Sequence, residues 1–169
     1  MTLIHFTLPA LMALLLTATG APALAQQPPE IGQLSFLDHQ YMDTQRTRLE
    51  ELARDHFGEG FSGERDSDLS LLQSLLDEDL VRADQTQELQ AMGVVMGDLL
   101  AADLGMHWVV YEDRLGRSRA LRYQDSDNYL FPVTMISRRR EVGNSLPIRD
   151  IYQKAYDIIA PLRSKLPFQ

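Results

Sequence analysis

Arginine is the residue type whose spacing in this chain most plainly suggests chemistry. Arg138, Arg139 and Arg140 are consecutive and form the densest charge cluster, and Arg114, Arg117, Arg119 and Arg122 precede them at short intervals. A planar guanidinium donates two parallel hydrogen bonds to a carboxylate or a phosphate, so such a cluster suits an anionic ligand or an acidic protein surface. The competing reading is a solvated face, or ion pairs with the chain's own carboxylates. Arg138, Arg139 and Arg140 are accordingly the candidate residues for holding an anion or a partner, and a strand beside the hairpin would bring some of the other arginines onto their face.

The remaining reactive types are more scattered. His107, Glu112 and Asp113 could serve as base, acid and orienter, yet His107 and Glu112 in one extended strand stand about 16 Å apart and project from opposite faces. His39 and Asp43 share a helix face at i,i+4 and could supply two metal ligands, but no third ligand is identifiable. Gly58, Gly60 and Gly63 have the spacing of a dinucleotide-binding turn, which must follow a strand and open a helix; here it follows a helix and reads as an interhelical loop. There is no nucleophile elbow, Walker loop or H-E-x-x-H run. No catalytic residue, metal ligand or cofactor is therefore expected, and Trp108, the single tryptophan, reads as core.

Composition bounds the setting in which such groups would work. Residues 8–16 form an apolar block, broken by Pro9 and too short to span a bilayer, and Ala23-Leu24-Ala25 is an A-x-A cleavage site. Residues 1–25 thus read as a signal peptide, although no Lys or Arg precedes Arg46, and Gln26 as the first residue after cleavage in the periplasm. With no cysteine, an exported domain must be held by packing alone, and thiol chemistry and a lipoprotein anchor are excluded. The net charge of −8 argues against binding nucleic acid or, after signal cleavage, an anionic membrane. That charge is unevenly spread: residues 26–105 hold 17 Asp and Glu against 5 Lys and Arg, whereas residues 106–169 hold 7 against 11. Either the two halves face and neutralise each other, or the basic half offers a local face to something acidic.

The elements that would position these groups follow from periodicity. Residues 26–34 begin Gln-Gln-Pro-Pro and read as a disordered lead-in. Phe36, Leu37, Tyr41, Leu49, Leu52, Ala53 and Phe57 recur at helical spacing, with Gly58 as a C-cap. Asp66 or Ser67 can cap a second helix carrying Leu69, Leu72, Leu76 and Leu80, and Asp84 with Gln87 resembles a capping box opening a third, which Gly105 stops. Within that third helix Gly93 and Gly97 each cost about 1 kcal/mol relative to Ala, which predicts that another backbone comes close there. Residues 107–112 and 118–123 read as a hairpin around Gly116. Residues 129–136 read as a third strand, troubled by Pro132, with a short helix over 134–141 as the rival assignment. A last helix starts at Pro147, buries Ile148, Ile151, Ala155, Ile158, Ile159 and Leu162, and ends near Pro161.

Three spaced segments taken together, 89–97 (Leu-Gln-Ala-Met-Gly-Val-Val-Met-Gly), 108–113 (Trp-Val-Val-Tyr-Glu-Asp) with Gly116, and 131–139 (Phe-Pro-Val-Thr-Met-Ile-Ser-Arg-Arg), resemble the bacterial family called domain of unknown function 3806. The resemblance runs over about residues 85–160 and implies a Gram-negative source and an α+β domain; it brings no activity, cofactor or site residue. Residues 31–81 show no motif tying them to it. The expectation is one α+β domain over 35–169, with helices packed against a small antiparallel sheet of about three strands. Functionally, the sequence favours a non-enzymatic periplasmic binding or interaction module whose partner is another periplasmic protein or an anionic ligand. The alternative is a hydrolase or metal-dependent enzyme assembled from distant positions such as His107, Glu112 and Asp113.

Overall fold

The structure, a computed structural model, describes residues 28–163. The expected signal peptide lies outside the described residues. In chain order the elements are β1 (Glu30–Gly32), α1 (Phe36–Phe57), α2 (Arg65–Asp77), α3 (Thr86–Leu104), β2 (Met106–Asp113), β3 (Gly116–Tyr123), β4 (Tyr129–Leu130), α4 (Pro132–Met135), α5 (Ser137–Glu141) and α6 (Ile148–Arg163). All strand pairs are antiparallel, in the order β1-β2-β3-β4. An α+β fold with helices on a small antiparallel sheet is what the periodicity implied, with one strand more than expected.

α3 is the centre of the molecule. It is apolar around most of its circumference, which marks a helix packed on several sides, and Leu89, Met92, Met96, Leu100 and Leu104 are fully buried. The sheet turns one face toward this core. Met106, Trp108, Leu121, Tyr123 and Leu130 share the alternating phase that points there; four of them belong to the core cluster, and the half-buried Trp108 packs against it. α6 closes another side through Ile148, Ile151, Tyr152, Ala155 and Ile159. Ile158, expected in that stripe, is 60% exposed, and Tyr152 takes an inward position instead.

The two glycines of α3 are where the packing is tightest. A Cβ on Gly93 would stand 2.5 Å from the Pro132 carbonyl oxygen and 2.6 Å from that of Val133; one on Gly97 would stand 2.5 Å from Cζ2 of Trp108 and 2.9 Å from Cβ of Pro132. The start of α4 therefore sits on the α3 backbone at Gly93, and the indole lies on it at Gly97. Close approach offsets the helix propensity these positions give up.

Several boundaries depart from the sequence reading. β1 lies inside the stretch expected to be disordered, because residues 30–32 find backbone partners on β2. The third strand stops at Leu130, since Pro132 has no N–H for the ladder and instead opens α4 at a position where a helix needs none. The helical assignment of the following residues is thus the one that holds, split into α4 and α5. α2 is capped by Glu64, whose side chain accepts from the Ser67 N–H at 2.7 Å, and ends before Leu80. The Asp84 and Gln87 capping box does not form: the N-cap of α3 is Gln85, which turns its side-chain oxygen to the Arg82 N–H at 2.8 Å. By contrast, α1 ends at Gly58 in the left-handed conformation (φ 70°), as its position suggested.

Replacing either α3 glycine tests this packing. Overpacking a close contact costs about 1–3 kcal/mol, so Gly97→Ala should lower Tm, and Gly93→Ala should lower it further because it meets backbone carbonyls. A raised Tm for either variant, measured by thermal unfolding, would mean that α4 and Trp108 do not lie on the helix backbone.

Candidate functional site

The hairpin arginines do not form a free basic face; part of that charge is drawn inward by α1. Ser35 caps α1, its Oγ accepting from the Asp38 N–H at 3.2 Å while the Asp38 carboxylate accepts from the Ser35 N–H at 2.9 Å. This reciprocal cap fixes Asp38 on the inner side of the first turn, where it is 1% exposed. Two arginines of β3 reach it. Arg117 donates through Nη1 at 2.9 Å and Nη2 at 2.5 Å, and Arg119 stands 2.9 Å away through Nη2. The Arg117 hydrogen bond, aided by those from Ser35, holds the Asp38 carboxyl well below the usual range against the opposing effect of burial. In the same pairing the carboxylate raises Arg117. Of the other hairpin arginines, Arg122 donates to the Ser126 and Asp125 carbonyls at 2.8 and 2.9 Å, and Arg114 is exposed near the turn.

Arg138, Arg139 and Arg140 lie on α5, which packs on α3 and α4 and not beside the hairpin. The structure therefore separates the two groups of arginines that the sequence suggested might share a face. Arg138 is exposed, Arg139 donates to the Met135 carbonyl at 2.5 Å, and Nε of Arg140 is buried without a hydrogen-bond partner. None of the three pairs with a carboxylate among the described residues.

A second link between α1 and the core runs beside a wide groove. Trp108, lying on Gly97, directs its indole N–H to Oδ1 of Asp98 at 2.9 Å. Asp98 in turn receives a two-pronged hydrogen bond from Arg46 of α1, Nε at 2.7 Å and Nη2 at 2.9 Å, and Asp43 takes the remaining Nη1 at 2.7 Å. Its bond to Asp98 is the main cause that raises Arg46 above its ordinary value. Beside this chain of contacts runs a groove of about 600 Å³, lined by His39, Met42 and Arg46 of α1, residues 31–34, residues 107–109 of β2, Arg122 and Asp125.

The sheet explains why the groove is there. β1 pairs only with Val110, Tyr111 and Glu112, so residues 106–109 of β2 have β3 on one side and no described strand on the other. In an antiparallel ladder alternate residues turn their N–H and C=O toward each neighbour, so this stretch presents unpaired backbone groups to the groove. Lining side chains come from both faces of β2, His107 and Val109 from one and Trp108 from the other, as they must at a strand edge.

The histidine and carboxylate candidates separate. His107 lines this groove, while Glu112 and Asp113 line a different hollow with Pro28, Glu30 and Arg114. His39 also lines the groove, but Asp43 is engaged by Arg46, and no group of three possible metal ligands occurs among the described residues. The glycine-rich loop binds carboxylates of its own chain: Glu50 accepts the Phe61 N–H at 2.8 Å, and Asp68 accepts those of Ser62 and Gly63 at 2.9 and 2.8 Å. The backbone hydrogen bond from Phe61 lowers the Glu50 pKa.

Asp38, Arg46 and Asp98 were not singled out from the sequence, although signals existed. Ser35-x-x-Asp38 has the spacing of a capping box, and Asp98 is the one charge inside the apolar run 89–102.

The family described as "Domain of unknown function (DUF3806)" matches residues 68–152. That span starts earlier than the resemblance read from the sequence, taking in most of α2, and stops in the first turns of α6. A crystal structure from Bacteroides thetaiotaomicron VPI-5482 is similar to this chain at a TM-score of 0.70 and 20% identity, over 78% of this chain and 48% of that one. This chain thus spans about half the length of that protein, and the likeness is one of fold. No curated protein matches the chain.

Removing the Asp38 carboxylate should be costly. Asp38→Asn leaves Arg117 and Arg119 without their shared counterion; breaking such a pair costs about 3 kcal/mol or more when fully buried, and somewhat less here because both arginines keep some solvent. Because the folded pKa lies below the unfolded value of about 3.9, the contribution is complete above that value and is lost as pH falls through the folded one. Urea unfolding of wild type and Asp38→Asn should therefore show a stability gap at pH 7 that narrows below about pH 4. A gap independent of pH would place the effect elsewhere.

Proposed function

Because this chain belongs to the DUF3806 family, whose matched span carries β2, β3 and most of the core around them, we propose that it is an exported, non-enzymatic binding module and that its ligand is an extended acidic segment of a periplasmic protein, held in the groove beside β2. The observation that carries this reading is the incomplete pairing of β2. β1 covers three of its eight residues and leaves the four of 106–109 uncovered, of which 107–109 border a groove of about 600 Å³. A peptide in extended form satisfies unpaired strand-edge groups with main-chain hydrogen bonds and places alternate side chains against the two walls. Four uncovered residues accommodate a segment of about 13 Å at strand rise. Those walls carry His39, His107 and Arg122, and the one carboxylate among the lining residues, Asp125, extends fully into solvent. Acidic side chains on the segment suit this setting and would be steered by it.

Arg138, Arg139 and Arg140 extend the same reading as a separate anion-binding patch, supported by the absence of carboxylate partners for them among the described residues. The enzymatic alternative has less support, since His107 and the Glu112–Asp113 pair line different hollows.

Selection of random displayed peptides on the protein should return sequences with Asp or Glu at alternating positions. The selected peptide should slow hydrogen exchange of amides in residues 106–109, and His39→Glu with His107→Glu should weaken binding by about tenfold or more through like-charge repulsion. Peptides without acidic bias, or protection that leaves 106–109 unchanged, would overturn the groove assignment. Changing Arg138, Arg139 and Arg140 together to Gln removes no ion pair among the described residues and should leave groove binding in place, so, with folding of the variant checked by thermal unfolding, any loss of anion binding reports on the patch alone.

Export has its own measurement. Sequencing the protein recovered from a periplasmic fraction should begin at Gln26, and a start at Met1 or Thr2 would remove the cleavage site at Ala23-Leu24-Ala25.

A further inference from the structure

Arg46 lines a second recess as well as the strand-edge groove. This one has a volume of about 380 Å³ and opens between α1, α3, the glycine-rich loop and the first turns of α2. Its apolar surface comes from Val95, Leu99 and Ala102, which share one face of α3 at i, i+4 and i+7, and from Phe61 of the loop. Val95 and Leu99 belong to the core cluster and Phe61 packs against it, so the recess is a place where the core comes to the surface.

The polar groups in its walls restrict what can enter. The amides of Phe61 and Gly63 are given to Glu50 and Asp68, and the Arg46 guanidinium is divided between Asp98 and Asp43. An incoming anion would find all of these donors spent. The charges point the same way, because Asp43, Glu50, Asp68 and Asp98 are paired with only Arg46 and Arg54 among the described residues. Asp68 is the uncompensated member. It is 1% exposed and is held by the Ser62 and Gly63 N–H groups and the Ser62 hydroxyl, yet no cation pairs with it among the described residues. Neutral donors stabilise a carboxylate without cancelling its charge, and beside apolar walls its field is poorly screened. Glu50 and Asp98 are only half-buried and are the carboxylates that a ligand can reach.

A bare metal ion does not suit the recess, since no group of three possible metal ligands occurs among the described residues. A neutral apolar molecule would cover Glu50 and Asp98 without replacing the water it displaces from them. An apolar body with a cationic donor answers both the walls and the charge. We propose that this recess binds a small organic amine, its hydrocarbon part on Val95, Leu99, Ala102 and Phe61 and its ammonium at Glu50 and Asp98. The recess shares only Arg46 with the strand-edge groove and makes no use of the uncovered β2 edge, so amine binding does not depend on a peptide there.

Phenethylamine, phenethyl alcohol and 3-phenylpropionate carry one apolar body and differ in charge. Titrated into the protein and followed by amide NMR shifts, the amine should bind saturably at millimolar concentration and about tenfold more tightly than the alcohol. The acid should not bind, and the shifts should centre on Glu50, Phe61 and residues 95–102. Glu50→Gln keeps an acceptor for the Phe61 N–H and removes one charge, so it should bring the amine down toward the alcohol and leave the alcohol unchanged. Ala102→Phe places a ring in the recess from an exposed position and should abolish binding of both. Thermal unfolding checks that each variant is folded, and the ligand series on the wild type decides the matter even if one is not. Failure of the amine to bind, equal binding of the alcohol or the acid, or undiminished amine binding to either folded variant would overturn the proposal.

Discussion

The backbone of α3 at Gly93 and Gly97 is the constraint on which the rest of the molecule depends. Because no side chain stands there, the start of α4 and the Trp108 ring can lie directly on the helix. The ring then aims its N–H at Asp98, Asp98 holds Arg46, and α1 is fixed across the sheet. Each step follows from the one before. A glycine sets an indole, the indole orients a carboxylate, and the carboxylate positions a helix 52 residues upstream in the chain.

How much of this the sequence discloses depends on how local its cause is. The helices, the hairpin and the close approach at the two glycines were legible, since periodicity and the cost of glycine act within a few residues. Strand β4 was misread because Pro132 carries conflicting local signals, and only its placement on α3 decides in favour of a helix start. β1 was invisible: three residues, Glu30, Ile31 and Gly32, carry no pattern of their own and become a strand only because β2 offers them an edge. Among the site residues, the arginines attracted notice by their density, but density said nothing of their partners. Asp38 absorbs Arg117 and Arg119 from a distance of about 80 positions, a fact that no spacing rule contains. The division of charge into an acidic and a basic half was, in that sense, an outline of this pairing: the halves neutralise each other at Asp38, while Arg138 and its neighbours on α5 have no carboxylate partner among the described residues.

The strand-edge groove owes one wall to α1, which precedes the residues matched by the family. The family span supplies α3 and three of the four strands; β1 and α1, which come before it, close the groove and bring His39 and Arg46 to it. The groove is therefore formed at the junction between the matched span and what comes before it. A chain holding residues 68–152 alone would lack that wall.

The long reach of the Asp38 contacts also bears on the order in which the chain can become structured. α1 is near the start, yet its buried carboxylate is met by arginines 79 and more residues later, and β1 finds its partners at Val110 to Glu112. Until residue 119 has been added, the buried Asp38 at the start of α1 lacks its arginine partners. α1 can rest on α3 through Arg46 and Asp98 before the hairpin exists, but the Asp38 end of the helix must wait for it, and contacts of such sequence separation are the slow ones to close. A chain still emerging would therefore hold the first turn of α1 loose throughout that interval, while the rest of the helix already has α3 to lie on.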